Sequence, residues 1–138
     1  MAHHRVVVVG RSRAVLFVVD LYANPIEDKC HSDIADGFLY GLSHYGQGRL
    51  FCLDPENGKI LWQGPPRTGP YASFLSFPGH VLTLSHQGRM SIFKASLKGF
   101  RPVASYLLSE SSTWAAPVLL KDGILVKDAE ALSLWTFR

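Results

Sequence analysis

Histidines are the residues of this chain whose side chains offer the widest chemistry, because imidazole binds metal ions and transfers protons near neutral pH. Two of the six, His3 and His4, lie at the amino end, and His31 precedes a predicted strand. His44 and His86 each close a Leu-Ser-His segment, 42 residues apart. Since equivalent positions of successive repeats do not meet at one point, we interpret them as solvated turn residues and predict no metal site.

The two cysteines, Cys30 and Cys52, are too few for a disulfide framework and do not form a Cys-x-x-Cys pair. A bridge between them requires that their strands be neighbours, and this alternative stays open. Two small buried apolar side chains are the favoured interpretation.

Nucleophilic and nucleotide chemistry lack their usual sequence context. There is no Gly-x-Ser-x-Gly segment and no glycine-rich loop between a strand and a helix. Residues 109–112 are a serine-rich polar loop of the kind that joins strands. The sequence therefore predicts no catalytic residue and no enzyme.

Composition narrows the class of protein. Hydrophobic residues make up 47% of the chain and charged residues 18%, which argues against a disordered segment or a coiled coil. The formal net charge is only +3, and the basic residues are scattered. Without a basic run to follow a phosphate backbone, no nucleic-acid partner is predicted.

Two valine-rich runs near the amino end, residues 5–9 and 14–19, faintly resemble a signal peptide. Two arginines separate them, no small-x-small cleavage site follows, and each run is too short to span a bilayer. We therefore predict two strands within residues 5–20, and a soluble, unprocessed chain with no membrane span.

A repeat of just over forty residues organises the rest of the chain. Three segments align on Gly37, Gly79 and Gly123, with spacings of 42 and 44 residues. Segments 48–53 and 88–93 both begin with Gly-Arg and continue with an apolar run. A period in the low forties with short strands is typical of propeller blades.

The apolar segments of each repeat predict strands, since no stretch of ten residues has a helical pattern free of Gly or Pro. About twelve strands are predicted, which include residues 38–42, 50–53, 59–63, 71–77, 81–84, 90–93, 102–108, 114–120 and 124–126. The chain is thus predicted to be a single all-β domain over residues 1–138. Its predicted parts are trailing strands in residues 5–20 and repeat units at 31–70, 71–112 and 113–137.

The most informative motif is LDPENGKILW at residues 53–62. Asp54 can accept a backbone N–H at the head of a turn, and Pro55 presets φ at about −65°. Gly58 takes the positive φ that returns the chain to the sheet. Trp62 then lies on an outer strand, where its ring can fill the space between neighbouring sheets.

This motif resembles the quinoprotein-like propeller repeat, also called the PQQ-like repeat. The family has Asp, Gly and Trp at the positions of Asp54, Gly58 and Trp62, whereas Asn57 replaces its Thr. The resemblance covers roughly residues 31–137 and implies a partial β-propeller of about three four-stranded antiparallel blades, with Trp62 docked between two of them. An unrelated sandwich or barrel whose period arises by chance is the alternative.

The family includes quinone-dependent dehydrogenases, which surround their cofactor with a complete ring. This sequence has neither adjacent cysteines nor a cluster of Glu, Asn and Asp for the accompanying cation, so we predict no cofactor. The resemblance instead implies a non-catalytic scaffold that binds a protein or a small ligand through its loop face, as relatives in bacterial envelopes do. A remnant or subunit of a quinoprotein-like enzyme, with a site shared between chains, is the alternative. The compartment stays open, cytoplasmic by default and periplasmic by resemblance.

Three blades alone leave two apolar faces in water. Two copies give six blades, within the four to eight of typical propellers, whereas three copies give nine. A homodimer that closes a six-bladed ring is therefore predicted. In it, residues 5–20 of one copy would complete the blade begun by residues 114–137 of the other.

Most aromatic residues fall at strand positions and are predicted to be core: Phe38, Tyr40, Phe74, Phe77 and Phe93. Trp135 matches Phe93 in the repeat, which also predicts packing. Tyr45, Tyr71 and Trp114 lie near loops and are candidates to line a face, although packing is favoured for two of the three.

Overall fold

The computed structural model describes residues 8–9, 14–15, 32–43 and 46–137, and these residues contain strands and turns but no helix. The predicted all-β class is confirmed. The described residues therefore include no helix that is long and apolar enough to cross a membrane. The strands are β1 (Val8–Val9), β2 (Ala14–Val15), β3 (Ser32–Ala35), β4 (Phe38–Ser43), β5 (Arg49–Asp54), β6 (Lys59–Gln63), β7 (Ala72–Phe77), β8 (His80–Ser85), β9 (Arg89–Lys94), β10 (Pro102–Leu107), β11 (Val118–Leu120), β12 (Gly123–Lys127) and β13 (Leu132–Thr136).

These strands form four antiparallel sheets in which neighbours along the chain are neighbours in the sheet. Strands β1 and β2 pair with each other. We call β3–β6 the first sheet, β7–β10 the second sheet and β11–β13 the third sheet. The first and second sheets each have the four strands predicted for a repeat unit, whereas the third has three among the described residues.

The three larger sheets stack face to face, in chain order. One apolar cluster joins the first and second sheets and includes Tyr40, Cys52, Trp62, Val81 and Phe93. Another joins the second and third sheets and is formed by Leu82, Leu84, Met90, Ile124 and Val126. Because side chains alternate along a strand, β8 directs Val81 to one neighbour and Leu82 to the other. The second sheet is therefore covered on both faces.

The first strands of the first and second sheets lie close together, since β3 contacts β7. Because successive strands run in opposite directions, the turns and the longer connections divide between the two ends of the stack, which we call the loop end and the hairpin end. The loop end holds the β4–β5, β8–β9 and β12–β13 turns and the connections between sheets. The hairpin end holds the β3–β4, β7–β8 and β11–β12 turns and the β5–β6 and β9–β10 connections.

Two glycines recur at the loop end. Gly48 and Gly88 open β5 and β9 with positive φ, and a Cβ on them would lie 1.9 and 2.0 Å from the carbonyl oxygens of Gly69 and Ser109. No side chain fits at that distance. Glycine is therefore required where the connection to the next sheet crosses this turn.

The third repeat departs from two sequence predictions. Strand β11 begins at Val118, so residues 114–117 of the predicted strand 114–120 belong to the connection, and Pro117 cannot donate a ladder hydrogen bond. Gly123 is also not a turn residue, because it pairs with Leu120 as the first residue of β12. Asp122 is instead the equivalent of Gly79, with a spacing of 43 residues.

The two outermost faces of the stack differ, contrary to the expectation that both are exposed. On the first sheet, the face away from the second carries Leu39, Phe51 and Leu53, and all three are buried. On the third sheet, the corresponding face is exposed, and we call it the open face. It carries Val118, Leu120, Leu132 and Leu134.

Candidate functional site at the loop end

The motif residues Asp54 and Gly58 build the β5–β6 turn at the hairpin end. The Asp54 carboxylate accepts a hydrogen bond from the Glu56 backbone N–H at 2.9 Å, and its carbonyl accepts one from the Gly58 N–H at 2.8 Å. Gly58 has a φ of 70°, the left-handed conformation that glycine adopts at little cost. This turn is a structural element of the first sheet.

Trp62, the third motif residue, lies between the first and second sheets with only 8% of its surface exposed. Its indole Nε1–H donates a hydrogen bond to the Ser96 carbonyl at 2.6 Å, in the β9–β10 connection. The ring also contacts Tyr40, Phe93 and Phe100, with centroids 5.8–6.1 Å apart. Trp62 therefore couples two sheets and is separate in role from the turn at Asp54 and Gly58.

Cys52 is a free thiol with none of its surface exposed. It lies opposite Tyr40 in the strand register, and burial raises the pKa of the thiol while a hydrogen bond with Tyr40 offsets part of this rise. Burial likewise raises the pKa of the Tyr40 hydroxyl. Both groups are therefore neutral core residues, and Cys30, the other cysteine, lies outside the described residues.

The histidines do not gather. Four of them (His3, His4, His31 and His44) lie outside the described residues. His80 and His86 flank opposite ends of β8, and His80 stacks on Phe77 at the hairpin end, with centroids 5.4 Å apart. Within residues 32–43 and 46–137, no three His, Cys, Asp or Glu side chains are placed to hold a metal ion.

Three aromatic side chains from separate loop segments meet at the loop end. The ring centroid of Trp114 is 5.3 Å from that of Tyr71 and 5.6 Å from that of His86. Tyr71 precedes β7, His86 follows β8, and Trp114 lies in the connection from the second to the third sheet. We call these three residues the aromatic platform.

Hydrogen bonds fix the backbone of the aromatic platform. The His86 N–H donates to the Tyr71 carbonyl at 3.2 Å, and the Thr113 N–H donates to the His86 carbonyl at 2.9 Å. Buried Thr113 also donates from its hydroxyl to the Ser85 carbonyl. The Tyr71 hydroxyl donates to the Trp114 carbonyl at 2.7 Å, so hydrogen bonds link all three segments of the platform.

Trp114 stays 58% exposed although it contacts two rings. The structure thus brings together Tyr71 and Trp114, two of the three loop aromatics singled out in the sequence, while Tyr45 lies outside the described residues. The interpretation of His86 as a solvated turn residue is wrong, because its ring packs on Trp114 and its Nδ1 is buried with no partner among the described residues. The only sequence signal for this role was its position directly after β8.

The polar loop at residues 109–112 links the second and third sheets. The Ser109 hydroxyl donates a hydrogen bond to the Asp128 carboxylate at 2.6 Å, in the β12–β13 turn. That carboxylate also accepts from the Glu130 and Ala131 backbone N–H groups, at 2.8 and 2.6 Å. These hydrogen bonds lower the pKa of Asp128, and the one from Ser109 has the largest effect. This network is a brace beside the aromatic platform.

The described residues thus define an all-β protein of stacked antiparallel sheets. No family model and no curated protein matches the sequence. Among solved structures, the chain is similar to the computationally designed Ika8 protein, with a TM-score of 0.57 and 8% sequence identity. The match covers 77% of this chain and 32% of that one, so this chain spans about a third of the designed protein's length. At this identity the likeness concerns the fold alone.

Proposed function

We propose that this chain is a non-catalytic interaction module, built as a partial β-propeller whose three blades are the first, second and third sheets. In this proposal a second copy of the chain covers the open face of the third sheet. The loop end then presents a binding face to a protein or a small ligand. The quinoprotein-like resemblance of the motif at Asp54, Gly58 and Trp62 is part of the same proposal.

The arrangement of the sheets supports the propeller architecture. Each sheet is an antiparallel meander, successive sheets stack through apolar clusters, and the first strands β3 and β7 are in contact. Propeller blades radiate from first strands near a common axis in the same manner. The likeness to a designed protein more than twice as long is consistent with a fold that continues beyond three sheets.

The observation that carries the proposal of a second copy is the open face. Contiguous exposed apolar side chains on a sheet mark interaction surfaces, since isolated monomers bury such faces. On the equivalent face of the second sheet, Leu82, Leu84 and Met90 are covered by the third sheet. The open face carries similar apolar side chains, Leu132 and Leu134, but no other sheet packs on it among the described residues.

Two pairings of copies use the open face. In the six-bladed ring, the open face of each copy meets the first sheet of the other. In a face-to-face dimer, the two open faces meet across a two-fold axis. Burial of Leu39, Phe51 and Leu53 favours the second pairing, because the first sheet offers no exposed apolar cluster to complement the open face.

The test is the mass in solution, measured by light scattering across a gel-filtration peak. We expect twice the chain mass of 15.3 kDa for the parent. Leu134→Glu places a charge on the open face and is expected to yield a monomer. Leu97→Glu is the matched control, since Leu97 is also exposed but lies in the β9–β10 connection, and it should stay dimeric. A monodisperse parent near 15.3 kDa would contradict the proposal.

The two pairings are separated by a Leu134→Cys variant. In a face-to-face dimer whose two-fold axis passes near Leu134, mild oxidation should join the two introduced thiols and give a covalent dimer on a non-reducing gel. In the ring, each introduced thiol faces the other copy's first sheet, and no such product is expected. The parent chain, with Cys30 and Cys52 only, measures the background.

A further inference from the structure

We propose that the loop end of the first sheet binds the phosphate group of a small molecule through the guanidinium groups of Arg49 and Arg67. Both residues contact Gly46 in the β4–β5 turn, and we call Arg49 and Arg67 the basic junction. The inference rests on the proposed function, in which the loop end is the binding face, and it names the chemistry of the ligand that this face takes.

The contacts of Gly46 place the two arginines on the same turn. A Cβ on Gly46 would lie 3.0 Å from Arg49 Nε and 3.4 Å from Pro66 Cβ, so the Arg49 side chain packs against the turn beside the connection to the second sheet. The Gly46 carbonyl accepts a hydrogen bond from the Arg67 backbone N–H at 3.0 Å. The junction therefore combines one cationic residue from β5 with one from that connection.

Arg49 Nε is a buried donor that has no hydrogen-bond acceptor among the described residues. A guanidinium carries a positive charge, and all of its N–H groups are donors. A charged donor that is shielded from water and left unpaired costs free energy, so a native structure that contains one calls for an acceptor. This nitrogen carries the inference, because an anionic oxygen supplies both the acceptor and the opposite charge.

The charges around the basic junction are of one sign. Residues 46–49 and 64–70 include Arg49 and Arg67 but no Asp or Glu. The acidic side chains of the loop end lie toward the third sheet, at Glu110, Asp128 and Glu130. A local excess of positive charge attracts anions, so the first-sheet part of the loop end favours them.

Arg89, the third arginine at the loop end, is directed elsewhere. Its Nη1 donates a hydrogen bond to the Ser105 hydroxyl on β10, at 3.4 Å. Because side chains alternate along a strand, Arg89 shares a face with Phe93, which packs toward the first sheet. Arg49 shares a face with Phe51, on the side of the first sheet that faces away from the second. Arg89 is therefore outside the basic junction.

Two arginines suit a phosphate group better than a carboxylate. A phosphate monoester carries a charge of roughly −1.5 to −2 at pH 7 and three acceptor oxygens, so that it can compensate both guanidinium groups. Arginine binds phosphate through paired N–H donors, whereas one carboxylate would balance only one of the two charges. The two residues occupy one turn rather than a basic track, which fits a small molecule rather than a nucleic-acid backbone.

The experiment titrates inorganic phosphate into uniformly ¹⁵N-labelled protein, with sodium chloride added to keep the ionic strength constant. We expect saturable shifts of the Arg49 Nε–H signal and of the backbone N–H signals of residues 46–49. Arg49→Lys keeps the charge but loses the planar donor pair, and it should weaken phosphate binding about tenfold or more. Arg89→Gln is the matched control, since Arg89 is an exposed arginine at the same end, and its affinity should stay within about twofold of the parent.

Arg67→Gln provides a second variant, because an exposed side chain can be replaced without unfolding the protein. It should weaken phosphate binding by about two- to fivefold, as loss of an exposed charge pair does. Four results would each overturn the inference: no saturable shift, an equal loss of affinity in Arg89→Gln, acetate binding as tightly as phosphate, or a response to a phosphoserine peptide without one to inorganic phosphate.

Light scattering on the same samples separates this inference from the proposed function. A dimer that does not bind phosphate overturns the basic junction alone. A monomer that binds phosphate through Arg49 overturns the proposed dimer and leaves the basic junction intact.

Discussion

The second and third sheets are built from similar strands but stand in different surroundings. Val81 and Leu82, adjacent on β8, are both buried because a sheet packs on each face. On β12, Ile124 is buried against the second sheet, whereas Leu125 lies on the open face and is only partly buried. The comparison teaches that burial in this molecule is set by position in the stack rather than by strand sequence.

The edges of the two sheets differ as well. Strand β9 of the second sheet pairs with β10 on its outer side, and Phe93 is closed off there by Trp62 and Phe100. Strand β13 occupies the outer edge of the third sheet. Trp135, the repeat equivalent of Phe93, is consequently 43% exposed, so the prediction that it packs as Phe93 does is wrong.

The sharpest test of this comparison removes one indole from each environment. Trp62→Ala should lower the free energy of unfolding by about 3–5 kcal/mol, because it leaves a cavity among three rings and an unpaired Ser96 carbonyl. Trp135→Ala should cost about 1 kcal/mol or less, since most of the cost of large-to-small changes arises in closed cores. Urea unfolding of both variants measures the difference, and equal losses would mean that the two sheets are equally packed.

The second test concerns the loop end of the second sheet. Gly88→Ala places a methyl group 2.0 Å from the Ser109 carbonyl oxygen, in addition to the cost of a positive φ. We expect a loss of about 2–4 kcal/mol from strain and overpacking. Gly79→Ala, with a similar φ and nothing within 4 Å of the new methyl group, should lose only about 1 kcal/mol. Thermal melts of the two variants measure these losses. Equal losses would contradict the close approach of the Ser109 carbonyl to Gly88.

The third test uses pH to probe the cluster between the first and second sheets. The folded-state pKa values of Tyr40 and Cys52 are raised, so the unfolded chain releases these protons first as pH rises. Stability should be complete below about pH 8.5 and fall above it, by at most about 1.4 kcal/mol per pH unit for each group. Tyr40→Phe should flatten the decline above about pH 10. Tyr106→Phe, on the exposed outer strand of the second sheet, should leave it unchanged.

The smallest expected effect lies at the brace between the second and third sheets. The folded-state pKa of Asp128 is lowered, so its contribution is present at neutral pH and is lost as pH falls through the acid range. Asp128→Asn should therefore lower the Tm slightly at pH 7, and this difference should shrink as pH falls through the acid range. Glu130→Gln is the control, because only the backbone of Glu130 joins this network. A Tm difference that stays the same as pH falls would show that the brace does not act through the carboxylate charge.

Local sequence signals predicted the parts of this fold that depend on neighbouring residues. The turn at Asp54 and Gly58 followed from residue types alone, and the strand at residues 59–63 has the bounds that were predicted. Strand β3 was not singled out, because Ser and Asp favour turns and its pairing with β4 decides its conformation.

Contacts between distant segments could not be predicted in the same way. The aromatic platform depends on Tyr71 meeting Trp114, 43 residues later, and on His86 between them. The exposure of the open face could not be predicted from the sequence either, because Leu132 and Leu134 alternate with other residues as core residues of a strand do. Their exposure follows only from the absence of a fourth sheet among the described residues, which no local pattern records.

The outer edge of β13 has a consequence for the exchange of backbone hydrogens with solvent. Among the described residues, the apolar clusters join the first sheet to the second and the second to the third, so opening of the third sheet need not disturb the first. Amides of β13 should exchange with deuterium through such local opening, within minutes at neutral pH. Amides of β8, enclosed by strands and sheets on every side, should exchange only when the whole stack unfolds. A partner that pairs with β13 would slow its amides first, which makes their exchange rate a direct reporter of an occupied edge.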